Sequence, residues 1–368
     1  MSRVFIAGSS ARLLRRLARL GKGLRLEPSD LVRPEAPCTV KGSYTSLRSL
    51  GIAGVCSLVG VDEAHPLELL VPAQAERIRA KGIRSRVCST ALPKGSFQRL
   101  ASTELELSDP SVELLIEAPQ SSFLMAARQM GLLVSRGILD EQRADLGLLR
   151  LAAEDCGSYA VDPWRPRDGG FSRGLPPLLA SDDLRAFLDE AHGLRGVVRA
   201  SRVAGLSFDD ADSPMEAFVN AGLVLPPHMG GLGLARPVAN HAIDLKDKQE
   251  LGLVHVSRIT PDLLWPEPLM IIIEYLGKEP HEGPEAQDED MGRVQDYQAL
   301  GYLVFPLRYR HVRTPREFNR TALRLATAMD ERGARGVRAW VEELMGDEEF
   351  LARQRILFAT MLPAVRDR

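Results

Sequence analysis

The chain is poor in the residues that mark the commonest site chemistries. Aromatic side chains make up 5% of its 368 residues, too few for the stacked platform that holds single-stranded nucleic acid. Its four cysteines, Cys38, Cys56, Cys88 and Cys156, are far apart and form no CxxC pair, so neither a zinc site nor a disulfide framework is implied. No apolar run approaches the length that crosses a bilayer, and the N-terminal MSRVFIAGSSARLLRRLARL is broken by arginines. The expectation is a soluble, unsecreted, cytoplasmic protein with no membrane contact. GxSxG, HExxH and kinase signatures are absent, and GGLGLA at 230–235 has neither the GxGxxG register after a strand nor a GK[ST] ending, so it reads as a turn.

What is present is an apolar fraction of 45% and a length sufficient for two cores. The formal net charge is only −2, but it is unevenly distributed. Residues 1–100 hold 17 Lys and Arg against 7 Asp and Glu, leaving 30 against 42 for the remainder. A basic front half can meet phosphates and an acidic back half can hold cations, although a solvated surface without a partner would count identically.

In ARLLRRLARL at 11–20, Leu13, Leu14, Leu17 and Leu20 share one helical face and Arg12, Arg15, Arg16 and Arg19 the other, with Gly21 and Gly23 ending the helix. Two roles are open: a helix laid on nucleic-acid phosphates, or a helix packed on its own domain. From Ser43 to Gly137 the pattern predicts a mixed α/β unit, with LELLVP and SRVCST as strands. AQAERIRAKG, SDPSVELLIEA and about 121–135 read as helices. The Pro/Gly-rich stretch 162–177 reads as an irregular connection.

The second half opens with DSPMEAFVNAGLVL, where Ser213, Pro214 and Glu216 form a capping-box start. Strands are expected near 236–243 and 251–260, a helix over 288–300, a strand at YLVFPL (302–307) and helices over the final sixty residues. Between them lies RITPDLLWPEPLMIIIEYLGKEPH (258–281), in which a six-residue apolar run ends in Glu274. Asp262 and Glu274 are symmetric about Pro268, so two antiparallel strands turning through Pro266-Glu267-Pro268 bring the two carboxylates side by side. Like charges so placed repel, and a divalent cation, Mg²⁺ or Mn²⁺, would remove that cost.

Lys278 follows Glu274 by four residues, on the same face by strand parity, where it would orient water or stabilise phosphoryl charge; a solvated lysine reads the same way. Glu216 could reach the same site and help to fix it, or serve its capping box, and both can be true at once. Asp290 and Arg293 share a helical face, as a phosphate contact or a surface pair, and His281 is either a base or a solvated loop residue.

Taken in order, Ser213-Pro214-Met215-Glu216, Asp262-Leu263-Leu264-Trp265-Pro266 and Glu274-Tyr275-Leu276-Gly277 resemble the endonuclease domain of the very-short-patch-repair type, in the PD-(D/E)XK superfamily, over about residues 195–330. The resemblance implies a Mg²⁺-dependent nuclease with Asp262 and Glu274 as metal ligands and Glu216 as the helix acid. Where such relatives carry an acidic residue, and the wider superfamily a lysine, two positions after the glutamate, this chain has Leu276. The stretch from SYTSLRSL at 43 to CGSY at 156 is similar to regions of bacterial proteins related to abortive-infection (AbiEi-type) antitoxins, which implies DNA binding or a role in phage defence.

The expected architecture is therefore α/β (α+β) in two domains, the second a restriction-endonuclease-like mixed sheet flanked by helices. The divisions are a basic extension (1–42), an AbiEi-like domain (43–165), a linker with a helix (166–194), the endonuclease-like domain (195–335) and C-terminal helices (336–368). The expected partner is DNA, held by Arg12, Arg15, Arg16, Arg19 and Arg293, with homodimerisation left open. The function is phosphodiester hydrolysis by Asp262, Glu274, Lys278 and Glu216. The alternative is a non-catalytic DNA-binding regulator of the antitoxin type.

Overall fold

A computed structural model describes residues 2–35, 51–102, 104–163, 170–252, 254, 256–276 and 284–363, with side chains described outside 284–291. The chain is mixed α/β and divides into two compact units. The first holds residues up to Asp140 and Glu154–Ser207, the second Glu141–Ala153 and Phe208–Pro363.

In the first unit, β1 (Ser2–Ile6), α1 (Gly8–Arg19) and β2 (Leu24–Ser29) precede α2 (Ala53–Val59), β3 (Leu67–Val71), β4 (Ile83–Val87), β5 (Phe97–Ser102), β6 (Val112–Glu117) and α3 (Pro119–Ser135). Its six-stranded sheet runs β2-β5-β6-β1-β3-β4, with β1 parallel to β6 and antiparallel to β3. Within the expected extension 1–42, the described residues 2–35 thus supply two strands and a helix of this unit. Val4 and Ile6 lie in an apolar core with Leu14, Val55, Leu67 and Leu114, and Phe5 meets the ring of Phe97 edge-on at 5.1 Å. After α4 (Glu141–Asp155) come β7 (Ala160–Val161), β8 (Phe171–Ser172), α5 (Ser181–Glu190) and α6 (Val197–Ala204).

Two segments expected to be helical are not. SDPSVELLIEA forms β6, because Asp109 Oδ1 accepts from the backbone N–H and hydroxyl of Ser111 in a turn, and the apolar run then pairs with strands on both sides. AQAERIRAKG forms one 3₁₀ turn at Gln74–Glu76, after which Ser85 Oγ bonds both backbone groups of Ile78 and holds the chain out of a helix.

The second unit continues with α7 (Pro214–Val224), β9 (Val238–Ala239), β10 (Ile243–Asp244), α8 (Lys246–Glu250), β11 (Arg258–Ile259), β12 (Leu263–Trp265), β13 (Ile271–Tyr275), α9 (Pro284–Ala299) and β14 (Leu303–Leu307). It closes with α10 (Tyr309–Val312), α11 (Pro315–Glu331), α12 (Val337–Gly346) and α13 (Glu348–Met361). Its sheet runs β14-β13-β12-β9, with β13 parallel to β14 and the other pairs antiparallel, and β10 pairs with β11 apart from it.

The helices α7, α11 and α13 meet through Phe218, Phe318 and Phe358, whose ring centroids are 4.9 to 6.0 Å apart. Gly222 permits the approach: a Cβ there would lie 2.6 Å from Phe318 Cζ. Nearby, Asn319 and Gln354 exchange two amide hydrogen bonds between α11 and α13, at 2.9 and 2.7 Å. Phe318→Ala is expected to cost about 3–5 kcal/mol in a denaturant titration. Phe171→Ala, which removes a ring 41% exposed, is expected to cost about 1 kcal/mol or less.

Candidate active site

The β12–β13 hairpin pairs Leu263 with Ile273, Leu264 with Ile272 and Trp265 with Ile271. Continuing the register by one residue sets Asp262 opposite Glu274, as the symmetry about Pro268 predicts. Alternation puts Asp262, Leu264, Ile272 and Glu274 on one face. Leu264 and Ile272 pack there with the fully buried Tyr297 of α9.

Each carboxylate accepts a hydrogen bond from a group outside the predicted site residues. Asp262 Oδ2 accepts from the backbone N–H of Tyr275 at 2.5 Å, and Glu274 Oε1 accepts from the phenol of Tyr297 at 2.6 Å. Glu274 is only 3% exposed. Burial, and then the negative charges of Glu216 and Glu274, push the Asp262 carboxyl well above the usual range, against the Tyr275 N–H and Arg293. The Tyr297 phenol is also pushed up, first by burial and then by Glu274.

Glu216 stands in the first turn of α7, where Ser213 Oγ accepts from its N–H at 3.1 Å and donates to its Oε1 at 2.8 Å. Its Oε2 accepts from the backbone N–H of Asp212 at 2.9 Å and from Asn240 Nδ2 at 3.0 Å. Asn240 sits at φ 44°, a left-handed conformation that asparagine tolerates, and its own N–H donates to Asp262 O at 3.1 Å. One residue therefore ties the helix acid to the strand acid. Burial raises the Glu216 carboxyl, opposed by these hydrogen bonds. Ser213 caps α7 through the Glu216 N–H, while the Glu216 carboxylate accepts from Asp212 N–H in place of Ser213 N–H, and its charge acts on Asp262.

Arg293 is exposed on α9, and its positive charge lowers both Asp262 and Tyr297. Leu276 is half-buried, and its N–H donates to Leu307 O at 2.7 Å. Lys278 and His281 lie outside the described residues, as does the side chain of Asp290.

No family model, curated protein or solved structure matches the chain. The site must therefore be judged on its own donors. Among the described residues no three His, Cys, Asp or Glu side chains form a metal-ligand cluster. Mg²⁺ needs less: one or two carboxylates suffice when waters and phosphate oxygens complete its shell. Two acidic side chains on one face of the sheet, one of them destabilised as an anion by its acidic neighbours, fit that requirement.

The four arginines of α1 turn inward instead. Arg12 pairs with Glu154 at 2.6 Å, and Arg15, 1% exposed, donates to Glu117 O and Ser122 Oγ. Arg16 reaches Asp162 at 3.9 Å, and Arg19 donates to the carbonyls of Tyr159 and Gly157. Of the two roles considered for this helix, packing on its own domain is the one observed, and these side chains would have to leave protein partners to meet phosphate. The first unit also carries a groove of about 480 Å³ along β5 and β6, lined by residues such as Arg99, Leu100 and Leu114. It joins no acid or base to a nucleophile.

Because the Asp262 carboxyl is raised, the folded chain keeps this proton to higher pH than the unfolded chain does. The aspartate therefore costs stability as pH rises from roughly 4, its unfolded value, through the raised one. Asp262→Asn, which keeps an acceptor for Tyr275, is expected to melt several degrees above the parent near neutral pH. The gap should close as pH falls towards about 4 in a scanning-fluorimetry series.

Proposed function

We propose that the second unit is a Mg²⁺-dependent endonuclease of the PD-(D/E)XK type, hydrolysing phosphodiester bonds of DNA. The observation that carries this reading is the pair Asp262 and Glu274, opposed across the β12–β13 hairpin and coupled in charge to Glu216. The order α7, β9, β12, β13, α9, β14, with β10, α8 and β11 inserted, agrees with the helix, hairpin, helix, strand order of the resemblance.

Asp262 and Glu274 would hold the ion. When bound, Mg²⁺ neutralises the charge that develops on the phosphate and lowers the pKa of water. Tyr297 fixes the rotamer of Glu274 by donating to its Oε1. Tyr275 N–H does the same for Asp262. Asn240 sets the distance between α7 and β12, so Glu216 supports the pair without needing to bind the ion. The assignment of Lys278 as the water-orienting residue rests on its place in the sequence, four residues after Glu274.

A second reading is favoured by Leu276. Two residues past Glu274 and on the same face by strand parity, it offers an apolar side chain where cleavage chemistry uses a polar one. On this reading the unit binds DNA as a regulator of the antitoxin type and does not cut it.

Incubation with supercoiled plasmid separates the two. The nuclease reading expects nicking with Mg²⁺ or Mn²⁺, none with EDTA, and a loss of about 10²-fold or more in Asp262→Ala and Glu274→Ala. DNA shifting that ignores the metal, without nicking, supports the regulator and overturns the enzyme.

A further inference from the structure

Residues 308–324 carry six arginines, Arg308, Arg310, Arg313, Arg316, Arg320 and Arg324, and one carboxylate, Glu317. All six arginines are exposed. Arg313 is paired with Glu317 at 3.1 Å, whereas Arg316, Arg320 and Arg324 have no carboxylate within ion-pair distance among the described residues. Those three stand four residues apart on α11, in one row with a rise of about 6 Å per step. Like charges at this spacing repel along the helix, and a polyanion laid across them converts the repulsion into attraction.

The row begins at the carboxylate end of the sheet. Glu274 pairs in register with Pro306 and Tyr275 with Leu307, so Arg308 leaves β14 at the level of the candidate site. Tyr309 is close enough to Tyr275 to add to the burial that pushes that phenol up to about 12. The far end of α11 lies at the hairpin turn, where Arg332 donates to the carbonyls of Leu269 and Met270 at 3.0 and 3.2 Å. The N-terminal half of α11, with Arg316 and Arg320, is therefore the half nearer Asp262 and Glu274.

His311 reports the local field. Its two ring nitrogens face the N–H of Arg308 and Nε of Arg310, each at 3.1 Å. Burial, then Arg310, Arg308 and Arg324, lower its pKa, against Glu317.

We infer that the row Arg316, Arg320 and Arg324, led in by Arg308 and Arg310, is the surface on which the backbone of duplex DNA lies across the candidate site. Among these arginines the described residues place no exposed aromatic side chain, the element that single-strand binding would need. The inference rests on the nuclease reading only for the position of the row relative to the reacting phosphate.

The test is fluorescence anisotropy on the full chain in EDTA, with a labelled duplex of about 20 base pairs and a single strand of equal length, over a salt series. Arg316→Gln/Arg320→Gln/Arg324→Gln is compared with Arg77→Gln/Arg79→Gln, two exposed arginines of the first unit, and melting temperatures verify that both variants fold. The parent is expected to prefer the duplex. In the triple variant affinity should fall tenfold or more, and the slope of log affinity against log salt should drop by about 1 per arginine removed. The control pair should leave both unchanged.

An unchanged slope in the triple variant, a parent preference for the single strand, or binding to phosphatidylserine vesicles without binding to DNA would overturn the inference. Plasmid nicking with Mg²⁺ is read in parallel. A parent that binds through the row and never nicks defeats the nuclease reading alone, and a parent that nicks while the triple variant binds and nicks as well defeats the row alone.

Discussion

Two carboxylates that face each other across an antiparallel pair, on a face sealed by a buried tyrosine, repel each other when both are ionised. That constraint organises the second unit. Asp262 and Glu274 lie at the same level of the β12–β13 hairpin, and burial, then the negative charges of Glu216 and Glu274, raise the Asp262 carboxyl. The surrounding structure divides the cost. The Tyr275 N–H and the Tyr297 phenol each neutralise part of one carboxylate by hydrogen bonding, and Arg293 supplies a positive field from α9. These contacts oppose the rise of Asp262 without cancelling it, since its carboxyl stays raised.

Hydrophobic packing explains why the repulsion persists rather than relaxing. Leu264, Ile272 and Tyr297 share one cluster, so the strands that carry the acids are fixed by the burial of the residues between them. Sliding β12 by one residue would carry Asp262 and Leu264 to the opposite face, which the buried Leu263 and Trp265 already occupy. On the far side, Phe218, Phe318 and Phe358 lock α7 against α11 and α13, which holds Glu216 in its cap. Each acid is thus anchored by apolar contacts a few residues away.

The legible part of this arrangement was local. Strand parity and symmetry about Pro268 were enough to align Asp262 with Glu274, and Ser-Pro-x-Glu was enough to start α7, because both depend on neighbours in sequence. Tyr297 and Asn240 were not legible, since their partners lie 23 and 24 residues away and no spacing rule links them. The error at β6 has the same origin. A short apolar run after a Ser-Asp-Pro cap suits a helix or a buried strand, and pairing with β1 and β5 decides. The first 35 residues read as an extension because charge counts hide that Val4, Phe5 and Ile6 fill the middle of a sheet.

The two arginine-rich helices show why charge has to be weighed with its surroundings. In α1 the guanidiniums run alongside Glu154, Asp162 and the carbonyls of Tyr159 and Gly157, so they neutralise the protein itself. In α11 the equivalent stripe has Glu317 alone, already shared with Arg313. A helical wheel gives both the same amphipathic form. The difference is the desolvation already spent: withdrawing Arg12 or Arg15 would strand buried partners, whereas Arg316, Arg320 and Arg324 have no carboxylate within ion-pair distance among the described residues. An incoming polyanion would therefore meet a standing positive surface at α11 and a closed one at α1, and the former begins beside Asp262 and Glu274. On the proposed nuclease reading, a metal-bound phosphate and an arginine-bound backbone would be complementary demands, and the residues proposed for each lie at one end of the second unit's sheet.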